Sequence, residues 1–101
     1  MILSNERTNQ NISLSPLQAQ LFQFMQDQTE RARSLDNALG YFEFTVKAYQ
    51  ENHKGTQTYL STAINKLIDF GAIQYIRRGN CPSYVKVNQG IKIVEVGNVN
   101  D

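Results

Sequence analysis

The stretch from Thr56 to Val87, TQTYLSTAINKLIDFGAIQYIRRGNCPSYVKV, constrains the fold more than any other part of the chain. It predicts a helix, a glycine stop and a tight β-hairpin. Thr56 is a helix cap, its hydroxyl oxygen placed to accept from the free backbone N–H groups of the first turn. Leu60, Ile64 and Leu67 follow at spacings of four and three, with Ala63 beside them, and share one helical face. Gly71 falls just past the last turn, where a left-handed residue is commonly needed. Beyond it Ile73, Tyr75 and Arg77 alternate with Gln74, Ile76 and Arg78, the two-residue period of a strand. Gly79 to Pro82 carries turn chemistry, and Tyr84 to Val87 supplies the return strand.

The remainder organises around this unit. Residues 1–14 are rich in Asn, Gln, Ser and Thr without periodicity, and read as a flexible N-terminal arm. Ser15-Pro16 is a helix start, a capping serine followed by proline where its missing N–H costs nothing. Leu17, Leu21, Phe24 or Met25, Gln28 and Ala32 trace one stripe, with Phe22 beside it, and predict a helix to about Arg33. Its other face carries Gln18, Gln20, Gln23, Gln26, Asp27 and Glu30. Ser34 to Gly40 reads as one helical turn or loop, capped by Ser34 and ended by Gly40, and Tyr41 to Phe44 as a short aromatic strand. Thr45 caps a second helix from Val46 to about Asn52, ended by Gly55. After the hairpin, Asn88-Gln89-Gly90 turns the chain into a last strand, Ile91 to Val96. The domain therefore spans residues 15–96, with 97–101 a polar tail.

Charge is unevenly spread although the net value is only +1. Residues 1–46 hold three cations against five anions, whereas residues 47–92 hold seven cations against two anions. Such asymmetry suggests one basic surface suited to nucleic acid. No apolar run is long enough to span a membrane, and no signal peptide is evident. The single cysteine, Cys81, excludes an internal disulfide and suits a reducing compartment, so the expected location is cytoplasmic.

The order helix, short strand, helix, turn, helix, hairpin resembles the winged helix, a helix-turn-helix variant of bacterial and phage regulators. The most specific part is Leu60 to Val87, where leucine, three residues, glycine and two apolar residues lead into the hairpin. The resemblance implies an α+β fold: a three-helix core with helix-turn-helix, a C-terminal hairpin wing and an extra strand. It also implies that the third helix enters the DNA major groove while the hairpin lies over adjacent backbone or minor groove. With Leu60, Ile64 and Leu67 inward, Thr58, Thr62, Asn65 and Asp69 point outward, and Tyr59, Ser61 and Lys66 lie on the flanks. Thr58, Tyr59, Ser61, Thr62 and Asn65 are then the candidate readers of base edges, Asn65 having the paired donor and acceptor that suit adenine. Lys66, Arg77, Arg78 and Lys86 are candidate phosphate contacts. Strand alternation sends Arg77 and Arg78 to opposite faces.

Nothing in the sequence signals catalysis. His53, the one histidine, falls in a turn beside Lys54 and Gly55, and reads as solvated or as a phosphate contact. Cys81 has no second cysteine or nearby histidine, so neither a zinc site nor a nucleophilic triad is indicated. No glycine-rich phosphate loop appears. The chain reads as a non-enzyme without cofactor or metal.

Three functions fit this reading. The first is a small sequence-specific DNA-binding protein, a transcriptional regulator of a phage, plasmid or other mobile element, binding double-stranded DNA as a homodimer. The second is a protein–protein module directed at a host protein, which the low net charge keeps open. The third is an accessory subunit in DNA replication. None involves a membrane.

Overall fold

The computed structural model describes residues 1–35 and 39–95. In chain order the elements are β1 (Ile2–Asn5), β2 (Gln10–Ser13), α1 (Pro16–Ser34), β3 (Phe42–Phe44), α2 (Val46–Gln50), α3 (Gln57–Phe70), β4 (Ile73–Arg78), β5 (Cys81–Val87) and β6 (Ile91–Glu95). The strands form two three-stranded antiparallel sheets, ordered β2-β1-β6 and β3-β5-β4.

Local chemistry sets the helix boundaries. Ser15 and Gln18 form a reciprocal capping box: the Ser15 N–H donates to Gln18 Oε1 at 3.0 Å, and the Gln18 N–H to Ser15 Oγ at 3.3 Å. Pro16 occupies the first turn, and the helix continues through Ser34, one residue past the end expected near Arg33. Thr45 Oγ1 accepts from the Ala48 N–H at 3.1 Å, and Thr56 Oγ1 from the Tyr59 N–H at 3.1 Å. Gly71 closes α3 at φ +85°. There the Gly71 N–H donates to Ile68 O at 3.0 Å and the Ala72 N–H to Leu67 O at 2.9 Å, a paired bonding that satisfies two of the last helical carbonyls.

The core is continuous. α1 contributes Leu21, Phe22 and Met25; α3 contributes Leu60, Ala63, Ile64, Leu67 and Phe70; the second sheet contributes Phe44, Ile73, Val85 and Val87; Leu3 of β1 is fully buried among them. A buried polar bond ties α1 to the β3-β5-β4 sheet. Thr29 Oγ1 accepts from the Val87 N–H at 3.0 Å, so the last α1 turns are locked to β5.

The winged-helix architecture implied by the resemblance is not the one found. The class α+β stands, but half of the strands described form the β2-β1-β6 sheet, which the expected pattern lacks. The middle helix has only five residues, so helix count and order do not reproduce a three-helix core with one wing. The extra strand expected at Ile91 to Val96 pairs along Ile91–Glu95 with β1, not with the hairpin; Val96 lies outside the described residues.

Residues 1–14, expected as a flexible arm, hold β1 and β2. Leu3 pairs with Ile12 on one side and Ile93 on the other. Asn5, also buried, reaches across to donate from Nδ2 to the Phe70 carbonyl at 2.9 Å. This polar hairpin is held against the rest of the chain by β6 and Phe70, partners distant in sequence that no local pattern reports. The polar tail at 97–101, and part of the turn expected at Ser34 to Gly40, lie outside the described residues.

Candidate nucleic-acid interface

α3 is held on one side and open on the other. Thr58, Thr62, Asn65 and Asp69 are exposed, while Tyr59, Ser61 and Lys66 on the flanks are half-buried. This distribution follows the helical wheel drawn from the sequence. Thr62 Oγ1 donates back to the Thr58 carbonyl at 2.9 Å, keeping its side chain close to the helix. Beyond the helix edge an open groove of about 510 Å³ runs along Asn11 and Ile12 of β2, with Asn65, Asp69 and Phe70 opposite.

Two expected contacts are engaged inside the protein. The Tyr59 hydroxyl shares a short hydrogen bond with Ser15 Oγ. Lys66 Nζ donates to the Ser13 carbonyl at 2.8 Å and to Gln18 Oε1 at 3.2 Å. Both side chains therefore brace the capping box of α1 from the side of α3. Their spacing on the wheel was correctly flanking, but the long-range partners at residues 13–18 gave no signal in the sequence.

The hairpin cations divide by face. Arg77 is exposed and follows Tyr75 on the side where the core lies, its guanidinium carbon 5.1 Å from the Tyr75 ring centroid. Arg78 turns to the outward side, 3.8 Å over the Tyr84 ring. It donates from Nε to the Pro82 carbonyl at 2.7 Å and from Nη2 to Glu43 Oε2 at 3.2 Å. Lys86 shares that side, with Nζ 5.2 Å from the Tyr41 centroid. Tyr41 and Tyr84 were not singled out from the sequence. The spacing Tyr84-x-Lys86 placed one tyrosine on the cationic face, but Tyr41 joins only through the register of β3 on β5, where Glu43 pairs with Tyr84.

The turn before α3 also differs from expectation. His53 is stacked on Tyr49 with ring centroids 4.1 Å apart and planes 4° from parallel. Its Nδ1 lies 3.1 Å from the Tyr49 carbonyl, a geometry that requires the proton on Nδ1 for a hydrogen bond. Phe24 meets both rings, and Tyr49 itself is 3 % exposed with its hydroxyl unpaired. Burial raises the Tyr49 phenol above its ordinary value of 10.0. Among the described residues no three His, Cys, Asp or Glu side chains gather as metal ligands, and no helix is long and apolar enough to cross a membrane. Cys81 is exposed near the hairpin tip.

Comparison with known protein families, with curated proteins and with solved structures finds no match to this chain.

Proposed function

We propose that this chain is a small sequence-specific DNA-binding protein that reads a duplex with the outward face of α3. The observation that carries this reading is the contrast between the two faces of that helix. Leu60, Ala63, Ile64 and Leu67 anchor it in the core, while Thr58, Thr62 and Asn65 form an exposed row of short, uncharged hydrogen-bonding side chains. A rigid helix with small outer side chains fits a groove about 12 Å wide, and Asn65 has the donor and acceptor for an adenine edge. Arg77 at the end of β4 supplies a cation for the flanking phosphates. Asp69 sits near the C-terminal end, where repulsion from phosphates is least if the helix enters by its N-terminal half.

The test is selection from random duplex DNA followed by sequencing, at low and moderate salt. Wild type is expected to enrich one motif. Asn65→Ala should flatten one position of that motif, a loss of roughly 1–3 kcal/mol at that base. Arg77→Ala should weaken all sequences alike and reduce the salt slope by about one phosphate contact. Absence of enrichment at both salts would refute the proposal.

A further inference from the structure

The outward face of the β3-β5-β4 sheet carries an arrangement that the duplex-reading helix does not use. On β5, Tyr84 and Lys86 alternate onto this face, and the register brings Glu43 and Ile76 alongside Tyr84 and Gln74 alongside Lys86. Glu43, Gln74 and Ile76 are exposed. The Tyr41 and Tyr84 rings lie 6.5 Å apart at 64°. Each has a cation over it: the guanidinium of Arg78 at 3.8 Å on Tyr84, and the ammonium of Lys86 at 5.2 Å on Tyr41. The sequence of groups across the face is thus cation, ring, ring, cation.

We propose that this face binds single-stranded nucleic acid, stacking an unpaired base on the Tyr84–Arg78 platform beside Tyr41 and holding the phosphates with Lys86. Each part follows from the chemistry. Aromatic rings and guanidinium planes on a sheet offer π surfaces that any base can stack on once it is unpaired, and adjacent cations meet the backbone. A duplex keeps its bases stacked inward, so ring faces on a flat sheet have little to offer it. Among the described residues Glu43 is the carboxylate on this face; it bonds Arg78 at 3.2 Å and fixes the guanidinium over Tyr84, and no described carboxylate pairs with Lys86. An acidic partner with planar groups fits that balance, and a nucleic acid strand has both. This inference is independent of α3 and uses neither Asn65 nor Arg77.

The probes are fluorescently labelled oligothymidylate and oligouridylate of about twelve nucleotides, an abasic strand of equal length and a duplex of equal length. Binding is followed by anisotropy at low salt for wild type, Tyr84→Leu, Lys86→Ala and Asn65→Ala, with circular dichroism and thermal melts reporting that each variant folds. Wild type should bind oligothymidylate or oligouridylate, the tighter of the two naming the strand, and the intrinsic tyrosine emission should fall on binding. Tyr84→Leu should lose about tenfold or more, and Lys86→Ala should weaken binding and flatten its salt dependence. The abasic strand should bind wild type about as weakly as the thymidylate binds Tyr84→Leu. Asn65→Ala should leave strand binding unchanged, so failure of the duplex proposal and failure of this one are separable. An abasic strand held as tightly as a base-bearing one, an unaffected Tyr84→Leu or unquenched tyrosine emission would overturn it.

Discussion

Lys66 shows how one side chain divides a structural role from a binding one. Its ammonium bridges the Ser13 carbonyl and Gln18 Oε1, and Gln18 in turn completes the cap of α1. Lys66→Met keeps the stem and removes both bonds. It is expected to lower stability by about 1 kcal/mol while leaving the DNA affinity of the folded protein unchanged, measured by urea unfolding beside anisotropy. Tyr49 gives a second residue-scale test. Its hydroxyl is buried without a partner, and burial holds the phenol above its ordinary value. The folded state therefore favours the protonated phenol, so this group's contribution is fully present below 10.0 and is lost as pH rises beyond it. Tyr49→Phe should match or exceed wild type by up to about 1 kcal/mol at neutral pH. It should also remove part of the alkaline loss of stability, read from thermal melts across that range.

At the scale of elements, the C-terminus of α3 is where the two sheets meet. Asn5 from β1 donates to the Phe70 carbonyl, and Asn88, in the turn before β6, donates to the Gly71 carbonyl at 2.9 Å. Gly71 is held between them: a Cβ there would lie 3.0 Å from Asn5 Nδ2, in a left-handed backbone that resists side chains. Gly71→Ala should cost about 1–2 kcal/mol from the backbone alone, more where Asn5 is displaced. Asn5→Ala should cost about 1–3 kcal/mol, because it orphans a buried carbonyl. Equilibrium unfolding of each variant and of the pair would show coupling, since both act on one contact.

These elements also mark how far the sequence could be read. α3, its cap, its glycine stop and the hairpin were legible because periodicity, capping and turn chemistry act over a few residues. The outward row Thr58, Thr62 and Asn65 followed from the same wheel. The N-terminal hairpin was not legible: Leu3 and Ile12 are too few apolar residues to announce strands, and their pairing with β6 is decided across the whole chain. That omission is also what made the winged-helix resemblance misleading, since it hid half of the sheet structure. Lys66 reads locally as a solvent-facing cation, but it bonds Ser13 and Gln18, which lie far back in the sequence. His53 reads as a turn residue, but it stacks on Tyr49 four residues before it and meets Phe24 of α1.

At the scale of the molecule, one core joins both sheets. The radius of gyration is 13.2 Å, close to the ~13 Å of a single domain of about this length. Leu3 in the core gives the first sheet a structural role, so a chain lacking residues 1–14 should lose cooperative unfolding rather than merely an appendage. On this body the proposed duplex-reading surface and the tyrosine-bearing sheet face are separate, with Arg77 on the core side of the hairpin and Arg78 on the other. The most direct measurement is an amide proton–nitrogen NMR titration of the folded protein with a mixed-sequence duplex at low salt. The expected result is shift changes concentrated on Thr58, Ser61, Thr62, Asn65 and Arg77. Changes confined to β1, β2 and β6, or none at saturating duplex, would contradict α3 as the reading element.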